Sequence, residues 1–310
     1  MRGLLLRNVL HISDIHFGPK HLPAVSAGVL DLAAVRRPDL VVISGDLTLR
    51  AKPHQFREAR AFADELARIA PVVAVPGNHD VPLYRVWERL FAPFSAWRRH
   101  FDRELEPVFR DEELLVVGVN TAQAFALKGG RIRRRRLAEI DRLLAGTPPA
   151  LFRIVVAHHH VVRPEGVESE HPAWRSAEAI ARWGAGRVDL VLSGHLHQTL
   201  ELWPFGPDGF LALHTGTTSS SRGRGPESGR NSLHWLEIGA GSFRVERHFW
   251  DAAAGRFEVV RDQRFARLQS GPDGRAESAQ RKARGDIMAP EEEAAAAGRT
   301  PWTTGKSPKP

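Results

Sequence analysis

The stretch VVAVPGNHDV, residues 72–81, changes character abruptly. Residues 72–75 are apolar and read as a strand, then Pro76 and Gly77 lead into Asn78, His79 and Asp80. An amide, an imidazole and a carboxylate at the end of a buried strand are costly unless something pairs with them. The same pattern recurs along the chain. Residues 9–13 lead to Asp14 and His16, and residues 40–44 lead to Gly45 and Asp46. Residues 154–157 lead to His158, His159 and His160, and residues 190–193 lead to Gly194, His195, Leu196 and His197. Short continuous apolar runs fit strands buried on both faces of a sheet.

Helical periodicity lies between these strands. Residues 23–36 and 53–69 each open on proline, which suits a first helical turn, and residues 133–144 and 174–183 also carry helical patterns. Strand–helix alternation predicts a layered α/β fold. After His197 the pattern becomes strands and turns, at 199–203, 210–214, 233–238, 243–250 and 257–265, expected to be antiparallel. Residues 217–231, rich in Ser, Gly and Arg, read as a mobile loop. From about residue 269 onward the composition is Gly, Pro, Ala and charge without period, so 1–268 reads as the domain and 269–310 as a disordered tail.

Composition bounds the function. The chain has 310 residues, 42% of them hydrophobic, enough for one sizeable core or two small domains. With no cysteine, disulfides and thiolate metal sites are excluded. No apolar run approaches 18 residues, and the N-terminus reads as a first strand rather than a signal peptide, so no membrane span and a cytoplasmic location are expected. The net charge of +8 comes mostly from arginine, a bias that a GC-rich genome also produces, so nucleic acid is not an expected partner.

Ligands of α/β sheets collect beyond the carboxyl ends of strands. One Asp or His there is ordinarily a turn former or a cap. Five polar clusters at five strand ends, all of metal-ligand type, point to a shared cation site. Carboxylate, amide carbonyl and imidazole donors suit Mn, Fe, Zn, Ni or Co.

Together, DIH (14–16), GD (45–46), GNHD (77–80), His158 and GHLH (194–197) resemble the signature of the calcineurin-like metallophosphoesterases, in order, over residues 9 to 265. Within that superfamily the layout is most similar to the bacterial class III cyclic-nucleotide phosphodiesterases. The resemblance implies a four-layer α/β/β/α sandwich of two mixed β-sheets flanked by helices, with the metal site at the strand C-terminal ends. It implies two metal ions, Mn, Fe or Zn: one on Asp14, His16, Asp46 and His197, the other on Asp46, Asn78, His158 and His195. A metal-bridging hydroxide would attack phosphorus. Asn78 and His79 would contact substrate, His79 would stabilise phosphoryl oxygens or protonate the leaving group, and Asp80 would orient His79. The implied substrate is a small phosphate ester such as cyclic AMP. A nuclease or broad phosphomonoesterase on the same core is the alternative, with a non-catalytic scaffold as the alternative of another class. Related chains carry Pro soon after the ligand histidine, where this one has His159 and His160; His158 is preferred as the first residue after the strand.

Other candidates carry less. His11 reads as a satisfied core histidine, and His54, His100, His234 and His248 as surface or packing. His21 is a candidate substrate contact. The run RIRRRR (131–136) reads as a solvated helix start, or else as an electrostatic guide for phosphate.

Overall fold

The computed structural model describes residues 6–164, 171–207 and 209–267. The expected disordered tail lies outside the described residues. In chain order the strands are β1 (Arg7–Ile12), β2 (Leu40–Ile43), β3 (Val72–Ala74), β4 (Val108–Arg110), β5 (Leu114–Val119), β6 (Phe152–Ala157), β7 (Leu190–Ser193), β8 (Leu200–Leu202), β9 (Pro204–Pro207), β10 (Leu211–His214), β11 (Ser232–Ile238), β12 (Ser242–Asp251) and β13 (Arg256–Ala266). The helices are α1 (Pro23–Arg36), α2 (Pro53–Ala67), α3 (Val86–Phe91), α4 (Ser95–His100), α5 (Arg134–Ala145) and α6 (Ser176–Ala185).

Two six-stranded sheets form, in the orders β13-β12-β11-β1-β2-β3 and β4-β5-β6-β7-β10-β8. Each is mixed: β1, β2 and β3 run parallel, as do β5, β6, β7 and β10, while β11–β13, β4 and β8 join antiparallel. Alternation along the strands sorts the apolar side chains into three cores. Leu10, Ile12, Val41 and Ile43 pack with Val29, Phe56 and Trp97 on the helical side of the first sheet. Val9, Val42, Val116, Ile154, Leu192 and Phe243 fill the space between sheets. Val117, Val155 and Val191 pack with Leu137, Ile140 and Trp183 on the outer side of the second. Three cores between four layers make the expected α/β/β/α sandwich.

Three expectations need correction. Strand β5, at the heart of the second sheet, is absent from the sequence reading, because its run ends in Asn120 and Thr121 rather than in Asp or His. Strand β10 is antiparallel on one side only: it pairs antiparallel with β8 but parallel with β7, Leu211 beside Leu190. Residues 217–231 are not a loose loop. Thr217, Thr218, Ser219, Ser220 and Asn231 are buried, the Thr218 amide donates to the Ser13 carbonyl at 2.9 Å, and Asn231 Nδ2 donates to the Ser220 carbonyl at 2.8 Å.

Candidate metal centre

The loops after β1 and β2 are zipped together by backbone bonds, Asp14 N–H to Gly45 O and His16 N–H to Asp46 O, both at 3.0 Å. The loop after β7 joins that after β6 through Gly194 N–H to His158 O at 3.1 Å. Strand-end residues from both sheets therefore meet at one edge of the sandwich. Asp14, His16, Asp46, His195 and His197 all hold left-handed backbone, φ between 52° and 72°. For residues with a Cβ this conformation is strained and persists where surrounding structure imposes it, often at functional sites. Gly45, at φ 98°, and Gly77 admit no side chain, since a Cβ would strike the His158 ring and the Asp46 carboxylate respectively.

The structure brings all seven candidate ligands together in two adjoining groups. In the first, Asp14 Oδ1 lies 3.2 Å from His197 Nε2 and 3.6 Å from His16 Nε2, and Asp46 Oδ2 lies 3.8 Å from His16 Nε2. In the second, Asp46 Oδ1 lies 3.4 Å from His158 Nε2, and Asn78 Oδ1 lies 3.2 Å from His158 Nε2 and 3.0 Å from His195 Nδ1. The two Asp46 oxygens thus face different groups. Outer partners fix the rings: His158 Nδ1–H donates to Ser44 O at 2.8 Å and His197 Nδ1–H to Arg222 O at 2.7 Å, which turns both Nε2 atoms inward. Among His158, His159 and His160, it is His158 that meets Asp46. His159, packed against the His195 ring, puts Nδ1 2.7 Å from Thr121 Oγ1.

Electrostatics fit cations here. Asp14 Oδ1 and Asp46 Oδ2 are buried with no hydrogen-bond partner. Burial alone would push both carboxyls up, yet the surrounding imidazoles, chiefly His197 for Asp14 and His158 for Asp46, hold them well below the usual range. Burial disfavours the charged form of His158, but Asp46 more than offsets it and pushes the imidazole up to about 9. Two ionised aspartates with orphaned oxygens, an amide oxygen and imidazoles that offer a lone pair once deprotonated are a donor set for divalent cations, whose binding would displace the His158 proton. The first group (Asp14, His16, Asp46, His197) and the set His158, His159, His195 each present donor atoms within 4.8 Å of one another.

His79 and Asp80 sit in a short 3-10 turn, Asn78–Asp80. The His79 ring packs edge-on against His16 with centroids 4.9 Å apart, and its Nδ1–H donates to Leu49 O at 2.9 Å. The Asp80 carboxylate points elsewhere. It accepts from the Gly77 amide at 2.9 Å, the Thr48 amide at 2.8 Å, the Thr48 hydroxyl at 2.9 Å and the Leu47 amide at 3.2 Å. Asp80 therefore ties the Asp46 loop to the Asn78 loop, and the expected orientation of His79 by Asp80 gives way to orientation by Leu49. Burial, then repulsion from Asp46, pushes the Asp80 carboxyl up to about 7.

A cavity of about 270 Å³ opens over both groups. Its lining adds residues that the sequence reading did not single out: Leu49, Arg50, Leu127, Lys128, Arg222 and Arg224 among them. The last two come from the segment taken for a loose loop, and nothing in local sequence distinguishes them from other arginines. His21 is not in that lining; its Nε2 lies 2.7 Å from Ser26 Oγ and its ring packs on Phe17. None of residues 131–136 lines the cavity. Arg136 is buried and donates from Nε to Gly118 O at 3.1 Å, and Arg131 stacks over Trp174 at 4.3 Å, so the run is not simply a solvated helix start. His11 bonds Ser44 Oγ at 2.9 Å in the core, and His234 and His248 are also buried.

The chain resembles known proteins in sequence and in fold. The family model described as calcineurin-like phosphoesterase matches residues 7–199. A probable cyclic nucleotide phosphodiesterase of Synechococcus sp. is 29% identical over 180 residues, 56% of this chain and 63% of that protein. A glycerophosphodiester phosphodiesterase of Enterobacter lignolyticus is 35% identical over 80 residues, 23% of this chain and 28% of that protein. The chain thus matches less than two thirds of the length of either curated relative. Among solved structures, a purple acid phosphatase from yellow lupin seeds superimposes with a TM-score of 0.64 at 13% identity, covering 85% of this chain and 54% of that one, a likeness of fold.

Proposed function

The chain belongs to the calcineurin-like phosphoesterase family, a hydrolase acting on phosphate esters, and we propose that it is a dinuclear phosphodiesterase acting on a small nucleotide such as cyclic AMP. The single observation that carries the dinuclear reading is Asp46, whose two oxygens face two separate donor groups. In this reading Asp14, His16, Asp46 and His197 hold one ion, and Asp46, Asn78, His158 and His195 hold the other. Mn, Fe or Zn suits these donors. When bound, the ions lower the pKa of water to near 7, which supplies a nucleophile at neutral pH, and they offset charge on the phosphoryl oxygens.

The chain's own residues do the rest. Arg50, Lys128 and Arg222 at the cavity draw in and orient the anionic ester. Asn78 and His79 contact it, and the Leu49 carbonyl holds the His79 ring so that Nε2 is the free nitrogen. Burial lowers the His79 pKa, so the resting imidazole is neutral. A bound phosphate beside it favours the imidazolium, whose Nε2–H then stabilises a phosphoryl oxygen or is passed to the departing alkoxide. The names of the Synechococcus and Enterobacter relatives support a diester over a monoester. Residues 1–268 carry this activity, and a cytoplasmic location goes with the reading. No described helix is long and apolar enough to cross a membrane.

The test is a substrate panel of chromogenic phosphomonoesters and phosphodiesters, cyclic nucleotides and single-stranded DNA, each with Mn, Fe, Zn or Mg. Metal-dependent turnover of diesters and cyclic nucleotides above monoesters is expected. Preference for monoesters or for DNA, or no turnover with any metal, would overturn the reading.

A further inference from the structure

Helix α3 carries its apolar residues outward. Val86 and Leu90, then Trp87 and Phe91, are spaced four apart and share one face, which is open to solvent; Trp87 is 76% and Phe91 77% exposed. The opposite face is the anchored one, where buried Arg89 donates to Pro82 O and Ala126 O. That second bond fixes α3 beside the loop holding Phe125, 84% exposed, and Leu127, also exposed. Tyr84, before α3, is exposed as well, with the Arg50 guanidinium 5.8 Å from its ring centre. Leu127 and Lys128 line the cavity mouth, so the apolar patch is continuous with the opening of the candidate site.

Contiguous exposed apolar side chains of this size mark an interaction surface. From its composition and charge we infer that the patch formed by α3 and the Phe125 loop docks on the surface of an anionic lipid bilayer. Trp, Tyr and Phe with Leu and Val, flanked by cations, are the composition of interfacial membrane-binding elements. Lys128 follows Leu127, and Arg98 and Arg99 stand exposed on α4 directly after α3. The acid of α3, Glu88, is already paired with Arg85. Charge complementarity therefore favours an anionic surface. A second copy meeting this face about a two-fold axis would set Lys128, Arg98 and Arg99 of both chains around one interface. Single-stranded nucleic acid is the poorer fit. Trp87 and Phe91 stack on each other, 10° from parallel with centroids 5.9 Å apart, instead of presenting separated faces to successive bases.

The full chain is sedimented with vesicles of phosphatidylcholine alone or mixed with phosphatidylglycerol. Binding to the mixed vesicles, weakened by salt, is expected, with little binding to phosphatidylcholine alone. Trp87→Ser with Phe91→Ser should weaken binding by roughly tenfold or more, and Phe125→Ser on the separate loop should also weaken it, both with unchanged melting temperature. The inference is overturned if the unaltered chain ignores mixed vesicles, or if the variants bind them as well as the parent. It is equally overturned if the variants instead abolish self-association or DNA binding of the parent chain.

Discussion

His79 Nδ1 and the Leu49 carbonyl oxygen lie 2.9 Å apart, and this bond, not one from neighbouring Asp80, sets the direction of the His79 ring. In the proposed reading it leaves Nε2 for substrate and His79 outside the ligand set. His79→Ala is expected to retain both metals and most of the stability while losing turnover. Proton donation is typically worth about 10²–10⁴-fold, so an alkyl leaving group should show a loss in that range, and nitrophenolate a smaller one. Steady-state kinetics on paired substrates measures this. Equal losses on both would assign His79 to the phosphoryl oxygens instead.

Asp80 accepts four hydrogen bonds from Leu47, Thr48 and Gly77. Asp80→Asn replaces one acceptor oxygen by a donor that faces backbone amides. A loss of about 1–3 kcal/mol in unfolding free energy is expected, together with easier metal removal by chelator. Leaving-group dependence should stay that of the parent. Full stability with the kinetic signature of His79→Ala would contradict this reading.

Arg222 places its carbonyl on His197 and its side chain on the cavity wall. Arg222→Met keeps the carbonyl and removes the cation. KM for an anionic diester should rise roughly tenfold with a smaller change in kcat, the signature of a group that binds ground state and transition state alike. An unchanged KM would remove Arg222 from substrate binding.

The core histidines make stability depend on pH. Burial lowers His11 and His214 from 6.5 to about 3, and lowers His234 as well. Between those folded values and 6.5 the unfolded chain binds more protons than the folded one. The contribution of these histidines is therefore fully present above 6.5 and falls as pH drops below it, by about 1.4 kcal/mol per pH unit for each histidine. Urea unfolding of the metal-free chain across this window measures the slope, and His234→Leu should reduce it by one histidine's share. An unchanged slope in that variant would show that His234 titrates normally.

The candidate ligands were legible because each follows an apolar run directly, and clusters of Asp, Asn and His there are costly without a partner. Sequence did not reveal which atoms meet. His158 is separated from His159 by the Ser44 carbonyl, a contact across 114 residues. The resemblance implied that Asp80 orients His79, whereas the Asp80 carboxylate bonds Leu47, Thr48 and Gly77. Arg222 was hidden in a polar segment whose order comes from burial against Asp14, where the Thr217 hydroxyl donates to the Asp14 carbonyl at 2.7 Å. Strand β5 was passed over because it ends in no ligand, and α3 because its apolar face is turned outward.

The central claim, that Asp46 joins two metal sites, is tested most directly by metal stoichiometry. Elemental analysis of the purified chain reconstituted with Mn or Zn should give two equivalents, and Asp46→Ala should lower occupancy of both because each ion loses a ligand. Two full equivalents retained in Asp46→Ala, or a single equivalent in the parent chain, would contradict the account.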